Sequence, residues 1–354
     1  MSNKTITSIG LMSGTSLDGV DIACCFFEQK NNNWSYEILS AETIEYPFIW
    51  KNRLKEIEHS DAFSLARTNS EYGIYLGRLV KLFTEKFQLK ADIVSSHGHT
   101  IFHQPSLGLT LQIGHGANIA AESGLITVCD FRTMDVALGG QGAPLVPIGD
   151  KYLFGSYSHC LNLGGFCNIS FEKNGERIAY DISPCNIVLN YFTEKLSLPF
   201  DNDGRIAQSG NLNIPLLSEL NSLPFYSLIP PKSLGKNWVY SEFLPIIKEF
   251  KIPVPDILRS LVEHIAIQIS SAIEPGTDTK LLVSGGGVHN GYLLSRLKEL
   301  NSIHIEIPDR FTIDFKEALI FAFLGALRYT GEINVLSSVT GAIRNNIGGA
   351  IYTP

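Results

Sequence analysis

Positive charge is in short supply. Lys and Arg number 28 against 35 Asp and Glu, a net charge of −7, which argues against a nucleic-acid binder, whose footprint is basic. Cysteine is sparse and never forms CxxC: positions 24, 25, 129, 160, 167 and 185 fall inside apolar, strand-like runs. That usage fits buried free thiols in a reducing cytosol rather than a disulfide scaffold or a zinc knuckle. Long apolar runs are missing too. The longest on a helical pattern, Ala318 to Leu327, is well short of the roughly 20 residues that span a bilayer. Residues 1–10 carry no apolar signal core, so a cytoplasmic protein without a membrane partner is expected. Two nucleotide signatures are absent: the GxxxxGK[ST] loop, and a GxGxxG after the first strand.

What is present is an apolar fraction of 44% over 354 residues, enough for two cored domains. Strands are expected at 6–12, 20–27 and 34–45. A helix follows, with Leu76, Leu79, Val80, Phe83 and Phe87 on one face, then strands at 92–96 and 126–129. The pattern then restarts with strands at 160–163, 168–171 and 177–182. Next come a helix N-capped by Asp256, a strand at 281–284, a helix capped by Asn290, and an apolar helix over 316–329. Three strands, helix, strand, helix, strand therefore occurs twice, the sign of a duplicated α/β domain around a cleft. The division is placed at 1–145 and 146–354, with the C-terminal segment able to pack back on the first lobe.

The 31 glycines cluster. The first expected strand ends in Gly14, Thr15, Ser16, Asp18, Gly19 and Asp21. This turn offers backbone N–H groups and hydroxyls to phosphate oxygens, and carboxylates to a metal ion directly or through water. In the second half Gly164, Gly165 and Asn168 occupy the equivalent hairpin. Gly285, Gly286 and Gly287 precede the cap Asn290, and bare backbone there would let adenosine lie flat. Each stretch alone is also an ordinary turn. Together they describe an ATP site made of two phosphate hairpins and one adenosine turn.

These pieces resemble the hexokinase–Hsp70–actin ATPase fold, a pair of ribonuclease H-like domains with a central nucleotide cleft. Within it the chain resembles the anhydro-N-acetylmuramic acid kinases. The resemblance covers nearly the whole chain and is carried by GLMSGTSLDGVD at 10–21, SHGHTIFHQP at 96–105, DFRTMDVALGGQGAPLVP at 130–147, NLGGFCNIS at 162–170, PPKSLGKNW at 230–238 and SGGGVHN at 284–290. It implies an enzyme that opens a 1,6-anhydro sugar with water and phosphorylates the released O6 from ATP, in cell-wall sugar recycling. It also implies Mg²⁺ at Asp18 and the phosphates at Gly14–Asp18, Gly164 and Gly165. The family's D-x-G-P-G-N motif falls on 181–186, which makes Asp181 the general base, although Ser183 and Cys185 replace its glycines. Sugar contacts are expected from His97, Thr100, Arg132, Asn186 and Glu317. Met134 stands where an Arg precedes the Asp of the family's FRxxD stretch.

One carboxylate is chemically sufficient. Acetal hydrolysis normally uses an acid and a base, but a γ-phosphorus that captures the leaving oxygen replaces the acid. His97, His99 and His103 read HxHxxxH without a nearby carboxylate or thiol, which favours structural or substrate-contact roles over a metal site. Arg132 and Asp135 are expected in the cleft or holding the 139–142 glycine turn. A same-fold kinase for another anhydro sugar, a nucleotide- and sugar-binding regulator without turnover, and an actin-like filament protein stay open, as does a homodimer.

Overall fold

Alternating apolar residues and glycine-marked turns produce thirteen strands among the described residues. The computed structural model describes residues 4–14, 17–273, 279–301 and 303–354, so Thr15 and Ser16 lie outside the described residues. The chain divides into two units, Met1–Phe154 with Phe315–Pro354, and Gly155–Asp314. The cut falls at 154/155 rather than 145/146. The helix Pro147–Tyr152 stays with the first unit because Gly149 packs on Ile320, a Cβ there lying 2.6 Å from its side chain.

In the first unit β1 (Lys4–Met12), β2 (Gly19–Lys30) and β3 (Asn33–Glu45) form an antiparallel meander. β4 (Ile93–Ser96) joins β1 in parallel. A separate two-stranded sheet follows, β5 (His99–Gln104) with β6 (Leu109–Ile113), and then β7 (Ile126–Cys129) pairs in parallel with β4.

In the second unit β8 (His159–Leu163), β9 (Phe166–Lys173) and β10 (Glu176–Pro184) repeat the meander. β11 (Lys280–Ser284) and β12 (His304–Glu306) extend it in parallel. The lateral orders are β3-β2-β1-β4-β7 and β10-β9-β8-β11-β12, the same 3-2-1-4-5 arrangement twice. The duplication read from the sequence is thus a duplication of topology. β13 (Ala350–Tyr352) adds an antiparallel edge to the first sheet at β7.

Helices cover each sheet by burying one stripe. Ala62–Phe87 buries Tyr72, Leu76, Leu79, Val80 and Phe83, and is capped by the Asp61 carboxylate accepting from Ser64 N. Val254–Ala272 does the same in the second unit. Its N-cap is Pro253, not Asp256 as the sequence suggests; Asp256 sits in the first turn, where its Oδ1 accepts from Asn211 N at 2.7 Å. Arg310–Thr330 is interrupted at Phe315 (φ −118°, ψ 18°), so the expected 316–329 helix is its regular part. This part lies directly on β1: a Cβ at Gly10 would stand 1.9 Å from Ala318 O. No helix among the described residues is long and apolar enough to cross a membrane, and all six cysteines are free.

Candidate active site

The fold delivers the expected site residues as two sets, one per unit. In the first, the turn after β1 carries Gly14, half-buried, and Asp18, exposed. Asp21 opens β2, and its Oδ1 accepts from Thr43 Oγ1 at 2.6 Å. Gly19 is bare because β3 presses on it, a Cβ there lying 2.4 Å from Ile44 O.

Behind this turn, Ser13, Tyr46, Tyr72 and His99 form a buried polar cluster. The three hydroxyls make a triangle, with Ser13 Oγ–Tyr46 OH at 2.5 Å, Tyr46 OH–Tyr72 OH at 2.5 Å and Tyr72 OH donating to Ser13 Oγ at 2.9 Å. A fourth contact joins Ser13 Oγ to His99 Nδ1 at 3.1 Å. Three hydroxyl protons cannot fill four contacts. A proton on Nδ1 of His99 supplies the fourth, and burial keeps the ring neutral by pulling its pKa down to about 4.

His97 is fixed by a similar argument. Arg132 donates to its Nε2 through Nε (3.1 Å) and Nη2 (2.8 Å). Arginine only donates, so Nε2 is the lone pair, and Nδ1–H donates to Gly98 O at 2.9 Å. Burial first, and the Arg132 charge second, hold the ring neutral with a pKa of about 3. Arg132 Nη1 also donates to Gly142 O at 2.6 Å, while Gly142 N donates to Asp135 Oδ2 at 2.8 Å. The 139–142 turn is therefore held from both sides, and Asp135, which also accepts from Thr340 and Asn346, is structural.

Glu317 keeps solvent-accessible surface but is crowded on most sides. Desolvation and the Asp21 carboxylate raise its pKa against the pull of Arg132 and Lys316. His97, Arg132, Glu317 and Asp21 thus form one connected group. Thr100, half-buried on β5, pairs in register with Gln112. Met134 is 48% exposed on the short helix Thr133–Ala137. His103 Nδ1 bonds Thr110 Oγ1, and no cluster of His, Cys, Asp or Glu suited to a metal exists among the described residues.

The second set centres on the β8–β9 hairpin. Asn186, Cys185 and Ile187 donate their backbone N–H groups to Gly164 O (3.2 Å), Gly165 O (2.8 Å) and Gly165 O (3.2 Å). Asn186 Nδ2 donates to Leu163 O at 3.0 Å. The Gly285–Gly287 turn abuts the same hairpin. A Cβ on Gly285 (φ +84°) would lie 2.4 Å from Asn162 Oδ1, and one on Gly287 would lie 2.6 Å from Leu163 Cβ. A Cβ on Gly286 would meet open space. Two of these glycines are thus bare for the chain's own packing, and only the middle one presents a free face. Asn290 caps the helix Gly291–Leu300, its Oδ1 accepting from Leu293 N at 3.0 Å.

Asp181 lies on β10 across from Asn168, at a bulge between 181 and 183. Its backbone N donates to Lys232 O at 3.0 Å, and its Oδ2 accepts from Leu234 N at 2.8 Å. Burial raises its pKa above the ordinary carboxylate value, and the Leu234 N–H pulls it back. Sequence reasoning missed the Lys232 and Leu234 contacts and the hydroxyl triangle, because their members are tens of residues away from what they hold.

Comparison with known proteins follows the same outline. Residues 6–354 match the family described as Anhydro-N-acetylmuramic acid kinase. The enzyme of that name from Sulfurimonas denitrificans is 34% identical, covering 97% of this chain and 98% of the relative. The one from Vibrio cholerae is 35% identical, with 98% of each covered. A solved ligand-bound xylulose kinase from Lactobacillus acidophilus covers 92% of this chain and 89% of its own at 12% identity and a TM-score of 0.44. Matched from residue 6 to its last residue, and a third identical to relatives covered almost end to end, the chain belongs to the anhydro-N-acetylmuramic acid kinase family.

Proposed function

We propose that this kinase opens 1,6-anhydro-N-acetylmuramic acid with water and transfers a phosphoryl group from ATP to the released O6, with Asp181 as the general base. The observation that carries the assignment is the setting of Asp181. It is half-buried, its pKa is raised, one carboxylate oxygen is held by a backbone N–H, and it stands at a bulge of β10, paired with Asn168 of the strand that follows the glycine hairpin. Water attacks the anomeric carbon, its proton passes to Asp181, and the bond from that carbon to O6 breaks. O6 takes up the γ-phosphoryl group as the bond from the γ-phosphorus to the bridging oxygen breaks and ADP leaves; bound Mg²⁺ would neutralise the phosphate charge.

The nucleotide fits the residues present. Gly164 N donates to Phe166 O at 3.2 Å and so closes the hairpin, exposed Gly165 has almost open space where a Cβ would stand, Gly286 is open, and exposed Asp18 is a hard oxygen ligand beside phosphates. Thr15 and Ser16, next in sequence after Gly14, are hydroxyl residues assigned to the same phosphates. Asn168 and Asp21 border the phosphates, and Gly285, Gly287 and Asn290 shape the adenosine side. On the sugar side Arg132 offers positive charge, oriented by His97, whose two nitrogens are both engaged. Glu317, Thr100 and Asn186 are the polar contacts.

The test is Asp181→Asn, assayed by ADP release with anhydro-N-acetylmuramic acid. Turnover should fall by about 10²–10⁴-fold with ATP affinity retained. Turnover close to that of the unaltered enzyme would overturn the assignment.

A further inference from the structure

Asp181 is held by a stretch of chain that has little else to hold it in place. Residues 227–231 run exposed, Ile229 at 88%, and Pro230 and Pro231 have no N–H to donate. Among the described residues, the backbone of residues 229–234 makes hydrogen bonds to Asp181 alone. Lys232 O accepts Asp181 N at 3.0 Å, and Leu234 N donates to Asp181 Oδ2 at 2.8 Å. A backbone N–H can hold a carboxylate still only if its own segment is fixed by something else.

The side chain of Lys232 supplies that fixing. It is half-buried, between exposed Pro231 and exposed Ser233. Its Nζ donates to Phe225 O at 3.1 Å and to Tyr226 O at 3.3 Å, and it lies 4.6 Å over the Phe225 ring. An ammonium group has three protons and only donates; two carbonyls and a ring face are suitable partners for them. The residues that receive it belong to the core. Phe225 is 6% exposed and its ring packs on Trp238 at 5.4 Å, while Tyr226 OH lies 2.7 Å from Nε2 of the buried His264. One residue therefore grips the core with its side chain and Asp181 with its carbonyl, two positions before the N–H that holds the carboxylate.

We propose that Lys232 is a positioning residue for Asp181: its side chain fastens the 229–234 stretch to the core and so keeps the Leu234 N–H on the carboxylate. The proposal rests on Asp181 being the base. Lys232 itself touches neither the carboxylate nor the glycine hairpin, so its effect reaches the reaction only through Asp181.

The experiment is a double-mutant cycle on the full chain, read by ADP release with anhydro-N-acetylmuramic acid. Lys232→Met keeps the apolar stem and removes the donors. It should lower kcat by roughly three- to tenfold, the factor for about one lost hydrogen bond, with KM for ATP unchanged. Lys232→Arg, which keeps donors and a cation over the Phe225 ring, should stay close to the unaltered rate. Lys232→Gln keeps one amide donor group and should lose less than Lys232→Met; it carries the test if Lys232→Met melts. In an Asp181→Asn background Lys232→Met should lower the residual rate no further. Equal losses in both backgrounds would mark Lys232 as merely structural. No loss in the unaltered background, or an arginine variant as slow as the methionine one, would remove the fastening role; each of these results overturns the proposal. Failure of the base assignment is read separately, from Asp181→Asn alone.

Discussion

The two glycine hairpins occupy the same place in the same topology but are supported in opposite ways. The turn after β1 rests on side chains: Ser13, Tyr46, Tyr72 and His99 form a buried hydroxyl cluster at the strand end. The β8–β9 hairpin rests on backbone, with three N–H groups on Gly164 O and Gly165 O and two bare glycines pressed against Asn162 and Leu163. Removing atoms should break the first support, and adding atoms should break the second.

The broadest contrast comes from acid. His97 and His99 in the first unit and His264 in the second are all held neutral, with pKa values near 3, 4 and 3 against an ordinary 6.5. Below pH 6.5 the unfolded chain takes up protons that these folded rings refuse. Stability from each ring is therefore complete above that pH and is lost as the pH falls toward the folded value. By pH 5 the loss is about 2 kcal/mol per ring, or about 4 in the first unit against about 2 in the second. Native-state hydrogen exchange at pH 7.5 and 5 should show the larger drop in β1–β2; equal drops would remove the asymmetry.

Next in size is an added methyl group. Gly285→Ala meets Asn162 Oδ1 in a left-handed backbone. The conformation costs roughly 1–2 kcal/mol and the forced contact roughly a further 1–3, so a loss of about 2–5 kcal/mol is expected in denaturant melts. Gly286→Ala meets nothing and should change stability by less than about 0.5 kcal/mol while raising KM for ATP. If both variants melt alike, the backbone account of this hairpin fails.

The contrast also explains what could be read in the chain beforehand. The meanders, the parallel strands and the bare turns at 164–165 and 285–287 are local patterns, visible as alternation and glycine runs. β13 is three residues long and exists only because β7 offers an edge. Asp256 has the chemistry of a cap, but Pro253 begins the helix and Asp256 serves Asn211 instead. The glycines at 285 and 287 read as room for a ligand, whereas neighbouring chain fills that room. Members of the hydroxyl triangle stand at positions 13, 46 and 72, and no periodicity links them. The motif at 181–186 singles out Asp181 as a candidate, but it says nothing of the partner Leu234, which lies 53 residues away.

The smallest effect tests the proton count directly. With all three hydroxyls in place, only the Nδ1–H form of His99 gives every contact a proton. Tyr72→Phe deletes one corner of the triangle. Two contacts then remain at Ser13, and two hydroxyl protons can fill them: Tyr46 donates to Ser13, and Ser13 donates to His99 Nδ1. The ring is then free to carry its proton on Nε2, which lets the Tyr46 proton be used rather than stranded. The lost hydrogen bond should cost about 1 kcal/mol, a modest shift in the melting curve. The imidazole nitrogen shifts of His99, read by NMR at neutral pH, should move from the Nδ1–H pattern toward the Nε2–H pattern. Tyr75→Phe, whose ring stacks on Tyr72 at 6.1 Å outside the triangle, should leave them in place. An unchanged tautomer in Tyr72→Phe would mean that the triangle does not set the proton on His99. The first hairpin would then be held by packing, as the second is.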